Sequence, residues 1–326
     1  MYRSISPRRT HLRRPLAPQR PPVCPAEISP ARRAVKVFAH PDRPPVASLA
    51  PVRFDPVASP ASLAGSTPHF HVYYASILGQ GGNQIAQAAL KNCERDYKTL
   101  ADFFGQQQSL IFNVVLAPLS AQMDGSGGAY HHGCGDTDLY CDVQITPNID
   151  PDVTNALIVA EEVEVFEALQ NEGWGCGGTN GEGLSRVLAA ELYPNVLESL
   201  GYSTARFWLD SPRPNLVRRT LPTDQSMIGN GCAVLFLNYL HVQLGFSWNQ
   251  ICQAGAPTLA RTYHKLTDKT GPFHEFAKLL EKKFPQGEPI DLETDNPFPI
   301  KEARPAAAEK VGNKPKMRDV ASDTTE

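Results

Sequence analysis

The hydrophobic period of this chain changes once, at Asp150-Pro151. A strand buries alternate residues, whereas a helix buries every third or fourth. Before the change, short apolar or alternating runs predict strands over 69–76 (HFHVYYAS) and 110–117 (LIFNVVLA). GAYHH and DLYCDVQI predict two more, paired as one hairpin. One helix interrupts them, over 84–104, where Ile85, Ala88, Ala89, Cys93, Tyr97, Leu100 and Phe104 recur at helical spacing and Gly105 ends the run. Gly79–Asn83 and SAQMDGSGG are expected to be loops. After the change every element is helical. Helices are predicted over about 150–171, with an acidic cap and proline in the first turn, and from Thr179 or Asn180 to Leu192. Others follow over roughly 224–244, 247–254, 257–267 and 272–284. Strands first and helices second argue for an α+β fold, a small N-terminal mixed sheet with a helix followed by a mostly helical half. They argue against a wound parallel sheet.

Charge and proline separate this body from its ends. Residues 1–66 hold 11 of the 31 Lys/Arg, 3 of the 34 Asp/Glu and nearly half of the 29 prolines. Such a segment has little to bury and is expected to be a disordered basic leader. Residues 301–326 are polar and aperiodic and are expected to be a second tail. The folded domain is therefore assigned to 67–300. Residues 67–326 carry 20 basic and 31 acidic groups, a balance of −11. An acidic body disfavours nucleic acid and leaves a peptide, protein or glycan as partner. No run approaches the roughly 20 apolar residues of a membrane span.

Seven cysteines are present, six of them in the body: Cys93, Cys134, Cys141, Cys176, Cys232 and Cys252. None forms a CxxC pair, which argues against a structural zinc site. Disulfides are expected, with Cys134–Cys141 bracketing a tight loop and Cys176–Cys232 as the favoured second pair. They imply an exported or extracytoplasmic protein, although no secretory signal is recognisable near Met1.

Chemistry concentrates on two helices. The first, NALIVAEEVEVFEALQNEG, carries Glu161, Glu162, Glu164 and Glu167 among Ile158, Val159, Val163, Val165 and Phe166. Acids in so apolar a helix need partners, and crowding of like charge raises at least one carboxyl pKa. The second, TNGEGLSRVLAAEL, has Glu182 in its first turn, followed by Ser185 and Arg186. The loop GWGCGG joins them, and a disulfide at Cys176 would pin that loop beside the acids.

VAEEVEV followed by Asn180-Gly-Glu182-Gly-Leu-Ser185 resembles the gluzincin metallopeptidases. In those enzymes two histidines of an HExxH helix bind zinc and its glutamate activates water. A second helix supplies a glutamate ligand. The resemblance spans about 69–284 but is carried by these two helices. It implies that Glu162 stands at the catalytic glutamate position and Glu182 at the third ligand, 17 residues after Val165. It places Glu161 at the first histidine and Val165, which has no donor atom, at the second. A set of Glu161, Glu164 and Glu182 suits Mg²⁺, Ca²⁺ or Mn²⁺ better than zinc. It also implies an edge strand along the substrate cleft, lined here by His131 and His132, and a Tyr or His of the helical half near the oxyanion, with Tyr239 and His241 as analogues. The expected function is a catalytically degenerate metallopeptidase-like binding or structural module. An active carboxylate-based hydrolase and a plain acidic interaction domain remain alternatives.

Overall fold

A computed structural model of the chain describes residues 60–106, 109–119, 128–143, 151–196, 204–223 and 225–289. Most of the expected leader, the tail at 301–326, the SAQMDGSGG loop up to 127 and the Asp150 cap lie outside the described residues.

Five strands form one mixed sheet in the order β1-β2-β3-β5-β4. They are β1 (Ala61–Ser66), β2 (Phe70–Ala75), β3 (Phe112–Ala117), β4 (Ala129–Tyr130) and β5 (Asp138–Asp142). β3 runs parallel to β2 and β5, and the two edge strands are antiparallel to their neighbours. The central strand FNVVLA is buried at all positions but Asn113. That matches a parallel strand covered on both faces. On one face Phe70, Val72, Val114 and Leu139 enter the main core, and on the other Tyr73, Ala75, Val115 and Tyr140 form a smaller cluster. Helices follow the sheet, so the fold is α+β, as the change of period requires.

Helix α1 (Gly79–Phe104) covers the main-core face, burying Ile85, Ala89, Cys93, Tyr97, Leu100 and Phe104 along one stripe. It ends at Gly105, whose φ of 64° lets its N–H reach the carbonyl of Ala101. The expected turn over Gly79–Asn83 is shorter than predicted. Gly79 alone takes a positive φ, 56°, and the helix begins there. Of the glycines that look like a turn, Gly82 serves instead for close approach, because a Cβ there would lie 2.9 Å from the Tyr74 ring.

Helix α2 (Pro151–Gln170) starts on its proline, as predicted. It is buried without a break from Thr154 to Glu167, packed against α1, β5 and helix α3 (Thr179–Leu192). Next come α4 (Ala205–Leu209), α5 (Met227–Asn238, continuing as a π-helical turn over Tyr239–Gln243), α6 (Trp248–Gln253), α7 (Leu259–Thr267) and α8 (Phe273–Lys283). α3 packs closely on α5, where a Cβ on Gly183 would meet that of Ala233 at 2.5 Å.

Besides single 3-10 turns at Ser76–Leu78 and Pro194–Val196, two elements were not expected. β1 lies within the last residues assigned to the leader. ASLAGS has little apolar signal of its own and is ordered by main-chain pairing to β2. α4 is too short to show a period, yet its Trp208 is fully buried.

Candidate functional site

Five of the six glutamates of the α2–α3 pair are buried, and Glu191 near the end of α3 is exposed. Glu161, Glu164 and Glu182 are each 8% exposed, and Glu162 and Glu167 are 0% exposed. The helix geometry divides them among three neighbourhoods.

Glu161 and Glu164 sit one turn apart and face the end of edge strand β4. His131, the residue after that strand, places Nδ1 3.6 Å from a Glu161 oxygen and Nε2 3.5 Å from a Glu164 oxygen. Glu182, in the first turn of α3, is hydrogen-bonded to Glu164 carboxyl to carboxyl, and Arg186 Nη2 donates to it at 3.3 Å. Two carboxylates cannot share a hydrogen bond without a proton between them. Burial first, then the charges of Glu161, Glu182 and Glu167, hold the Glu164 carboxyl well above its usual range. Burial also pushes the His131 imidazole down, against the opposing pull of Asp136. Burial thus favours the uncharged form of both the imidazole and the Glu164 carboxyl.

Glu162 points elsewhere. Burial and the charges of Asp96 and Glu94 on α1 raise its pKa strongly. Neither of its oxygens has a hydrogen-bond partner among the described residues. Burial first, and then the neighbouring acids including Glu162, raise the thiols of Cys93 and Cys141. Glu162 is therefore not brought into the group formed by Glu161, Glu164, Glu182 and His131. Val165 belongs to the main apolar core.

Glu167 occupies the third neighbourhood, against the start of α3. A Cβ on Gly181 would collide with its Oε2 and with the carbonyl of Gly175. The glycine is what lets the carboxyl approach the first turn of the helix, while burial and then the charge of Glu182 raise its pKa well above the ordinary range. In the sequence Glu167 is one more acid on the α2 face, and glycine in the first turn of α3 is the available signal of its closeness to that helix.

The loop between the two helices is fixed at several points. Trp174 Nε1 donates to the Cys252 carbonyl at 2.9 Å, and Asn180 Nδ2 donates to the carbonyls of Gly173 and Ala256. Cys176 is disulfide-bonded to Cys134, with Cα atoms 5.6 Å apart. The loop is pinned beside the acids as expected, but both expected pairings are corrected. Cys141 cannot reach Cys134, because the alternation of β5 turns it into the core. Cys232 faces the α5 core, and Cys93 and Cys252 are likewise buried free thiols.

The remaining candidates lie in other surroundings. His132 packs edge-on against Tyr130 and Tyr140. His241 stacks on Trp248 and bonds to the Phe246 carbonyl at 2.7 Å through Nδ1. Tyr239 packs on Phe236 and Phe276, as a core residue. His69 and His71 share no site: His69 engages Glu94 and His71 engages Ser66, each at 2.8 Å. Spacing offered no hint of Asp96, which accepts from Tyr193 Oη at 2.5 Å and from Arg95 Nε at 2.8 Å beside a cleft lined by Asn92, Asp152 and Asn195.

Neither a protein-family model nor a curated protein sequence matches this chain. Among the described residues no helix is long and apolar enough to cross a membrane.

Proposed function

We propose that this chain is a metallopeptidase-like protein of zincin type that has lost peptidase chemistry and works as a binding or structural module. The observation that carries the reading is Val165. At the position of a second histidine ligand stands a fully buried aliphatic side chain without a donor atom. Glu162, at the position of the catalytic glutamate, is sealed against the acids of α1 rather than grouped with Glu182. Three further features support the zincin part of the reading. The strands precede the helical half, an antiparallel edge strand is followed by His131 over α2, and Glu182 of α3 meets Glu164 of α2. The acidic balance of the body suits a basic peptide or protein partner. An exported location is compatible with the disulfide between Cys134 and Cys176.

A second reading, hydrolysis by paired carboxylates, is favoured by the approach of Glu164 to Glu182, where burial and neighbouring acids raise the Glu164 carboxyl well above its usual range. Incubating the full, oxidised chain with unfolded protein substrates and with Zn²⁺ or Mn²⁺ separates the readings. The degenerate module cleaves nothing. Cleavage that disappears in Glu162→Gln overturns it in favour of a peptidase, and cleavage that disappears only in Glu164→Gln overturns it in favour of the carboxylate pair.

A further inference from the structure

We propose that reducing the Cys134–Cys176 disulfide uncovers a zinc site formed by His131 Nε2, the Glu164 carboxylate and the Cys176 thiolate, with Glu161 orienting the imidazole. The site goes beyond the functional reading above, and its residues stand whether or not the chain descends from a peptidase.

The geometry comes first. One donor atom from each of His131, Glu164 and Cys176 lies within 4.8 Å of the other two. His131 Nε2 is 3.5 Å from Cys176 Sγ and 3.5 Å from a Glu164 oxygen. A zinc ion held about 2.0–2.1 Å from nitrogen and about 2.3 Å from sulfur sets those donors about 3.5 Å apart at a tetrahedral angle, and nitrogen and oxygen donors slightly closer. Two of the three edges therefore already have the right length. The third, at most 4.8 Å, needs the loop to move by no more than about 1.3 Å.

The second observation is His131 itself. Its side chain is 5% exposed, and its Nδ1 has no hydrogen-bond partner among the described residues. That nitrogen faces the Glu161 oxygen at 3.6 Å, too long for a hydrogen bond. A metal on Nε2 fixes the tautomer with the proton on Nδ1, and a small rotation lets Glu161 accept it. Carboxylate–imidazole–zinc arrangements have this form.

The disulfide explains why the site is closed in the oxidised chain. A disulfide sulfur is a poor donor, whereas a thiolate is a strong one. With Cys176 oxidised only His131 and Glu164 remain, and two donors do not hold zinc firmly. Cys134 lies on an exposed turn, so a reductant can reach the bond. A dithiol supplies two electrons and two protons, leaving as its own disulfide and giving the Cys134 and Cys176 thiols. Zinc then displaces the proton from the Cys176 thiol and any proton on Glu164. Water completes the fourth position. Mixed nitrogen, oxygen and sulfur donors favour zinc over magnesium or calcium.

The test uses Cys134→Ser, which frees Cys176 without added reductant. Equilibrium dialysis should find one zinc per chain in this variant and essentially none in the oxidised parent. Cobalt in its place should show a thiolate-to-metal charge-transfer band. Adding His131→Ala or Glu164→Gln should abolish binding, and adding Glu161→Gln should weaken it by about 10- to 100-fold while keeping the cobalt band. A Cys134→Ser chain that binds no zinc, or binds it equally well after His131→Ala, overturns the proposal. If that variant does not fold, the parent reduced by a phosphine replaces it, with the same expectations and the same overturning results. Peptide cleavage plays no part in these readouts, so their failure leaves the functional reading untouched, and its failure leaves them untouched.

Discussion

Replacing Glu162 with glutamine is expected to change stability by an amount that depends on pH. The carboxyl is fully buried, has no hydrogen-bond partner on either oxygen among the described residues, and faces Asp96 and Glu94. Its pKa in the fold is raised well above the ordinary 4.5. The folded state therefore binds more protons than the unfolded chain across the interval between the two values. Stability associated with the group is fully present below the unfolded pKa and is lost as pH rises toward the folded one. The loss is about 1.4 kcal/mol for each pH unit of that interval. Glutamine has nearly the same shape and no such titration. Its extra amide donor adds an offset that is equal at all pH values. The difference between the variant and the parent is then expected to move in favour of glutamine between pH 4.5 and about pH 6.5, by about 1.4 kcal/mol for each pH unit over which the folded state keeps the extra proton. Urea unfolding followed by circular dichroism at both pH values measures it. A difference that stays constant with pH would refute the reasoning, because it would mean that Glu162 is ionised in the fold and stabilised by a cation.

Three other outcomes follow from the same packing. Gly181→Ala drives a methyl group into the Glu167 carboxyl and the Gly175 carbonyl, and should destabilise the fold by about 1–3 kcal/mol in thermal or urea unfolding. Replacing both Cys134 and Cys176 with serine opens a loop with a sequence separation of 42, and should cost about 2–4 kcal/mol, read as a lower urea midpoint. Burial pushes the Cys93 thiol up to about 11 and that of Cys232 up to about 12, and it also raises Cys141 and Cys252. Alkylation near pH 8 followed by peptide mapping should therefore leave all four unmodified in the native protein and modify them in urea; rapid native labelling of any one contradicts its burial.

Local pattern determined much of this fold. The change of period at Asp150-Pro151 separates sheet from helices because burying alternate residues and burying every third or fourth are properties of a single element. Proline at the start of α2, glycine at the end of α1 and the six-residue apolar strands β2 and β3 act over a few residues, so they could be read without knowing any partner. The acids of α2 and α3 were visible for the same reason, and so was their need for company in an apolar helix.

Partnership was decided only in three dimensions. β1 exists because β2 offers it an edge, and ASLAGS carries no period that announces this. Which cysteine meets Cys134 depends on where the GWGCGG loop is held by Trp174 and Asn180, and on the pleat that turns Cys141 inward. The three-residue spacing from Glu161 to Glu164 put those acids on one face, but nothing in the chain order said that His131 would close over it. Likewise, Glu162 is adjacent to Glu161 in sequence and about 100° away around the helix, so it faces α1 and a different set of charges. Spacing along one helix sets the direction of each side chain. What lies in that direction depends on the packing of elements distant in sequence.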